Sequence, residues 1–247
     1  RLNSKRLKQK PLLKLDGLPI IVHTFKRVKL SKKVDKAIVC TDSIEIKNIV
    51  EKYGGKAILT SKKHKNGTER IAEVARKFKK AELIVDVQGD EPLVDPNDID
   101  KVLDFHKKNK NFEIVVPVMR TSNADEKSLI KTVFTHKNKI LYFSRAKIPF
   151  NYNEKHTEYF KDLSIISFKP KVLQKFASLK PSKLEKSENI ELLRAIENDI
   201  NLGTFVMKGS SFAVNVKEDL LKAIDEMPKN KIRKLYWKYN YFYNEIF

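Results

Sequence analysis

The chain has 247 residues, 41% hydrophobic and 33% charged, enough for one sizeable core or a core domain with an appended lobe. Its formal net charge of +20 comes from lysines spread along the whole sequence, without a zinc finger, aromatic RNA-binding signature or basic zipper; this argues against a nucleic-acid partner and suits small phosphate-bearing substrates. No apolar run approaches the roughly 20 residues of a membrane span, no secretory signal is visible, and Cys40 is the sole cysteine, so we expect a cytoplasmic protein without stable membrane insertion.

Arg1, Lys5, Arg6, Lys8 and Lys10 crowd a segment that reads as a loop. No strand precedes it, so the sequence is expected to lack the first strand of an α/β sheet. Lys36 to Cys40 reads as a strand and Thr41-Asp42 as a turn. Ile46, Ile49, Val50 and Tyr53 then recur at one face of a helix, which Gly54-Gly55 ends. Lys56 to Thr60 extends again, and Ile71, Val74, Ala75 and Phe78 repeat the helical spacing. An apolar strand from Leu83 closes in Gly89-Asp90, where Gly89 is expected to permit a turn closed to bulkier residues. Asp95-Pro96 supplies an N-cap and first-turn proline for a helix carrying Ile99, Val102 and Leu103. This β-α-β-α rhythm predicts a parallel sheet covered by helices.

The second half is less regular. Glu113 to Met119, Lys131 to Thr135, Ile140 to Phe143 and Leu163 to Phe168 read as strands, with a hairpin across His136-Lys137-Asn138-Lys139. Ser187 to Asn198 reads as a helix, Phe205 to Met207 and Phe212 to Val214 as short extended pieces, and helices from Lys217 and about Asn230 finish the chain. The whole reads as a single domain, 1–247, with an inserted lobe near 120–200. Tyr236, Trp237, Tyr239, Tyr241, Phe242 and Tyr243 form an aromatic tail expected to pack on the body.

A carboxylate at the carboxyl end of a buried strand lies where α/β sheets bind ligands, and a basic loop attracts phosphate. Asp90 with the opening loop therefore suits a magnesium nucleotide. Asp86 and Glu91 read as a strand polar group and a turn acid.

Four segments in register extend this reading: Arg1 to Leu12, Asn66-Gly67-Thr68-Glu69-Arg70, Val87-Gln88-Gly89-Asp90-Glu91-Pro92, and Tyr142-Phe143-Ser144-Arg145-Ala146. Together they resemble the sugar-acid cytidylyltransferases, and most of all the 3-deoxy-manno-octulosonate (Kdo) cytidylyltransferase family. The resemblance implies a Rossmann-like, three-layer α/β nucleotidyltransferase fold with a smaller lobe that makes a homodimer. It implies attack of a sugar acid's anomeric hydroxyl on the α-phosphate of CTP, with release of pyrophosphate. Arg1, Arg6 and Lys10 match the family's R-x₄-R-x₃-K loop and are implied triphosphate holders, with Leu2 and Asn3 beside them. Asn66, Gly67, Thr68 and Arg70, with Gln88, are the implied nucleotide contacts; Asn66 stands where serine is usual. Arg6, Lys10 and Asp90 are the implied catalytic set, Asp90 as magnesium ligand.

The pattern also breaks. Asn215, in Val214-Asn215-Val216-Lys217-Glu218-Asp219-Leu220, replaces the second metal aspartate, leaving either a weaker metal site or a paralogue with little turnover. In the sugar motif H-x-G-x-Y, Asp162, Ser164 and Ile166 replace histidine, glycine and tyrosine, and Leu192 replaces the glutamine of E-Q-L-R. Arg145, Asp162 and Glu191 are the implied sugar contacts. An acid at Asp162 suits a substrate amine, so the expected acceptor is Kdo or a related, amino-substituted ulosonic acid. The alternatives are another acid sugar such as a nonulosonic acid, or a non-catalytic protein that uses its charge.

Overall fold

The computed structural model describes residues 7–152, 158–209 and 212–237; Arg1, Leu2, Asn3 and Arg6 lie outside these, as do Tyr239, Tyr241, Phe242 and Tyr243. A 3₁₀ turn (Lys10–Leu12) is followed by β1 (Lys14–Leu15), β2 (Leu18–Pro19), α1 (Ile20–Lys29), β3 (Val39–Thr41), α2 (Ile44–Lys52), β4 (Ala57–Leu59) and α3 (Gly67–Ala75). Next come β5 (Ile84–Val87), α4 (Pro96–Lys108), β6 (Ile114–Val115), β7 (Val118–Thr121), β8 (Lys131–Phe134), β9 (Ile140–Ser144), β10 (Tyr159–Asp162) and β11 (Ile165–Phe168). The remainder holds α5 (Pro170–Ser178), α6 (Lys183–Glu188), α7 (Leu193–Ile196), β12 (Leu202–Gly203), α8 (Lys217–Lys229) and α9 (Lys231–Trp237).

These elements form two compact units, each assembled from separated stretches. The first takes the described parts of Arg1–His64, Val87–Asp100 and Ser210–Phe247; the second takes Lys65–Asp86 and Lys101–Gly209.

In the first unit, β1 and β2 pair across a two-residue turn at Asp16 (φ 43) and Gly17 (φ 79). Both residues are left-handed, as a tight hairpin turn requires, and Asp-Gly is the usual pair for it. The Asp16-Gly17 dipeptide is thus a hairpin signal carried by the sequence itself. α1 buries Ile20, Ile21, Val22 and Phe25. The parallel pair β3–β4 flanks α2, whose Ser43 cap accepts from the Ile46 N–H at 3.2 Å. Gly54 (φ +76) ends α2, and a Cβ on Gly55 would lie 2.5 Å from Val50 Cγ1, so both glycines are required there. Leu18, Ile21, Val22, Ile46, Val50, Ala57 and Tyr236 make one core; Leu15, Ile20, Leu93, Val214, Ala223 and Met227 make another. Tyr236, buried among them, shows α9 packing on this unit as expected of the aromatic tail's first residue.

The second unit carries two four-stranded sheets, in orders β7-β10-β8-β9 and β12-β6-β11-β5. The strand expected from Glu113 to Met119 is two strands, β6 and β7, because Pro117 has no N–H to continue a ladder. The strand expected from Leu163 to Phe168 is β11, and it is preceded by an unforeseen strand, β10, that lies in the other sheet. A 2.9 Å bond from Leu163 N–H to the Pro117 carbonyl ties the two switch points together. Pairing is mixed rather than uniformly parallel: β12–β6 is parallel, while β6–β11, β7–β10, β8–β9 and β8–β10 are antiparallel. The helix expected over 187–198 is broken. Asn189 turns left-handed (φ 54) after α6, and α6 starts earlier, at a Ser182–Glu185 capping box that the sequence displays as S-x-x-E. The core gathers Ile114, Val116, Phe143, Phe168, Leu173, Phe176, Leu193 and Leu202. Each such side chain contributes about 1.5–3 kcal/mol by leaving water.

Candidate active site

The described candidate residues fall into two groups, one in each unit. In the first, the Lys10–Leu12 turn begins directly after Gln9, whose backbone is left-handed (φ 51), and Pro11 is buried. Lys10 is thus mounted on a fixed turn and its side chain runs to Asp90, with Nζ 2.5 Å from Asp90 Oδ2 and 3.3 Å from Asn215 Oδ1. Asp90 sits in the turn after β5. A Cβ on Gly89 would fall 2.8 Å from Ile21 Cδ1. Gly89 lies in that turn without a positive φ, so its lack of a side chain serves close packing on α1. Thr24 on α1 also donates to the Gly89 carbonyl at 3.4 Å.

Asn215 reaches Asp90 through the backbone: Val214 N–H donates to the Asp90 carbonyl at 2.9 Å. Asp219 then accepts from the N–H groups of Asn215 and Val216, at 2.8 and 3.1 Å, fixing the start of α8. The site's polar atoms are not all used. Asp90 Oδ1 is buried and has no hydrogen-bond partner. A buried carboxylate oxygen left without a donor is costly, and a divalent cation is the kind of group that satisfies one. The donor set of one carboxylate and one amide oxygen is hard, which fits magnesium completed by phosphates and water. Among the described residues there is no group of three or more His, Cys, Asp or Glu side chains that could hold a metal ion by themselves. Gln88, exposed, contributes its carbonyl to a turn bond from Glu91 N–H.

In the second unit, Asn66 caps α3, accepting from Glu69 N–H at 2.9 Å. Thr68 and Arg70 are buried, so the exposed part of this motif is Gly67. A Cβ at Gly67 would meet nothing within 4 Å, so packing gives no reason for glycine there. Thr68 Oγ1 donates to Glu191 Oε2 at 2.9 Å; the other oxygen, Glu191 Oε1, is buried without a hydrogen-bond partner. Burial raises the Glu191 carboxyl above its ordinary value, the hydrogen bond from Thr68 opposing this only in part.

Arg145 is more committed to the protein than its expected sugar contact requires. Its Nε donates to Glu188 O at 2.9 Å, Nη1 to the carbonyls of Lys127 and Ser128, and Nη2 to Asn189 O. Glu188 returns the grip, accepting from Ser144 Oγ at 2.6 Å and Arg145 N–H at 2.9 Å. Lys131, fully buried, donates to the carbonyls of Glu126, Leu129 and Arg145. Glu188 and Lys131 were not singled out from sequence, since a lone charge on a strand or helix end carries no visible partner. Asp162 is half-buried at the end of β10. Leu192 is buried in the apolar core, and Ile166, half-buried, packs against it.

Comparison with known proteins decides the family. The cytidylyltransferase family model matches residues 1–202. The 3-deoxy-manno-octulosonate cytidylyltransferase of Thermodesulfovibrio yellowstonii is 36% identical, covering 89% of this chain and 92% of its own. That of Chlorobium limicola is 38% identical over 89% of this chain and 91% of its own. The chain belongs to the 3-deoxy-manno-octulosonate cytidylyltransferase family. A solved structure described as CMP:2-keto-3-deoxy-manno-octonic acid synthetase complexed with CTP superposes with a TM-score of 0.88 at 32% identity, covering 93% of this chain and 95% of that one. This member of the cytidylyltransferase family is thus a nucleotidyltransferase of mixed α/β fold. Among its described residues no helix is long and apolar enough to cross a membrane.

Proposed function

We propose that this cytidylyltransferase transfers CMP from CTP to the anomeric hydroxyl of Kdo. The hydroxyl oxygen bonds to the α-phosphorus and gives up its proton to solvent, the bond from that phosphorus to the bridging oxygen breaks, and pyrophosphate leaves with that electron pair. The observation that carries the reading is Lys10 bridging Asp90 and Asn215, a cation and two oxygen donors drawn from distant parts of the chain. Lys10, with Arg1, Leu2, Asn3 and Arg6 by family pattern, binds the triphosphate. Asp90 and Asn215 would hold magnesium, which supplies charge neutralisation at the reacting phosphate when bound. Asn66, Gly67, Thr68, Arg70 and Gln88 accommodate the nucleoside; the open space at Gly67 supports close approach of a ligand to backbone. Glu191 accepts from a sugar hydroxyl through Oε1, with Asp162 and Arg145 on the same acceptor side. A cytoplasmic homodimer in envelope polysaccharide or lipopolysaccharide synthesis completes the reading, and light scattering tests the dimer.

The deciding assay is pyrophosphate release from CTP with and without Kdo in magnesium buffer. Kdo-dependent release is expected, reduced about 10²-fold or more in kcat/KM by Lys10→Ala or Asp90→Asn. Release that is independent of Kdo, or unaffected by both changes, overturns the reading.

A further inference from the structure

The Lys10–Asp90 pair has a consequence for how ligands enter. Its two side chains are only 13% and 18% exposed, so the attraction is weakly screened by water. The ammonium occupies Asp90 Oδ2 and touches Asn215 Oδ1, while Asp90 Oδ1 stays buried and unpartnered. The oxygens suited to a divalent ion are therefore shared with a cation that belongs to the protein. An ammonium and a divalent ion repel strongly at that spacing, so the two compete for one carboxylate. The backbone beneath Lys10 is held by the 3₁₀ turn and buried Pro11, whereas a lysine's four-carbon stem has the rotatable bonds to carry its point charge from one anion to another.

We infer that Lys10 is the resident counter-ion of the Asp90–Asn215 oxygen pair, and that a triphosphate opens this metal position by drawing the ammonium to its own oxygens. Lys10 thereby acts as a positioning residue that couples nucleotide and metal binding. By linkage, the factor by which nucleotide raises metal affinity equals the factor by which metal raises nucleotide affinity. The inference rests on the proposed reading that Asp90 holds the metal.

Manganese serves as the probe, its free concentration read by electron paramagnetic resonance without nucleotide. Lys10→Met is expected to bind manganese about tenfold more tightly than the unaltered chain, a typical size for coupling between sites. Lys217→Met removes an exposed positive charge near Asn215 in sequence and is expected to change affinity less than about twofold. Lys10→Gln carries the same measurement should Lys10→Met fail to fold, judged by circular dichroism. Adding Asp90→Asn to either Lys10 variant should abolish the gain. An unchanged affinity in the Lys10 variants, with Asp90→Asn still weakening manganese binding, overturns the inference and leaves the metal reading intact. An equal gain from Lys217→Met overturns it in favour of general charge. Manganese binding indifferent to Asp90→Asn overturns both.

Discussion

Thr68 donates a 2.9 Å hydrogen bond to Glu191 across 123 residues of sequence, and this leaves the carboxylate's second oxygen buried without a hydrogen-bond partner. Arg194 Nη2 stands 3.9 Å from that oxygen and is held by Glu185 at 2.6 Å. A carboxylate kept in this state destabilises the fold once ionised, a pattern expected of a group reserved for a ligand. Because burial raises its folded-state value, the native chain favours the protonated acid and loses stability as pH rises through that value. Glu191→Gln should therefore stabilise the protein by about 1–2 kcal/mol at pH 8 and by less at pH 4, while impairing Kdo use. Melting temperatures at both values with KM for Kdo check this; equal melting shifts would remove the pH argument.

In the proposed site Asn215 would offer magnesium a neutral oxygen where a carboxylate would add a full charge. With CTP present, Asn215→Asp should lower the magnesium concentration needed for half-maximal rate, by about fivefold to tenfold. A magnesium titration at saturating CTP measures it. No shift would mean that residue 215 is not a ligand.

Lys131 satisfies three carbonyls at once, including that of Arg145, from a fully buried position. Lys131→Met keeps the chain's bulk but strips those acceptors of their donor, at a cost of about 3 kcal/mol. Denaturant midpoints should fall accordingly. A loss under about 0.5 kcal/mol would show that water replaces the ammonium.

Two buried histidines set an acid limit. His23 lies between Tyr236 Oη (2.9 Å) and the Leu15 carbonyl (2.7 Å), and burial pushes its imidazole down to about 3. His106 contacts Ser167 Oγ at 2.8 Å and is held down to about 4, again by burial. Between these values and the unfolded value of about 6.5, the unfolded chain binds more protons than the folded one. Stability should then rise with pH from about 3 to about 6.5, by a few kcal/mol, and stay flat for these groups above it. Urea titrations across pH follow the slope, which His23→Gln should reduce; an undiminished slope assigns it to other groups.

Periodicity located the regular parts well where one face is apolar, as in α2, α3 and α4. It failed where an element's continuation depends on a distant partner. Pro117 and Leu163 hold the same bond, yet neither residue's neighbours reveal that the strands there change sheets. The break at Asn189 was hidden for a related reason: Ile190, Leu193 and Ile196 keep helical spacing directly after a residue whose left-handed turn ends α6. Local signals were present but passed over at Asp16-Gly17 and at Ser182-Glu185.

The amino-acid sequence alone determined the family, through four motifs in register, and the chemistry of the residues that would meet a nucleotide, because charge and hydrogen-bonding capacity belong to each side chain wherever it lies. Only the tertiary structure decided which of those groups meet. It set Lys10 on Asp90 and Asn215, committed Arg145 to carbonyls, and sent Leu192 into the core with Ile166 packed against it. The reason is that such contacts join residues far apart along the chain, and their energies depend on burial and distance that no local pattern encodes.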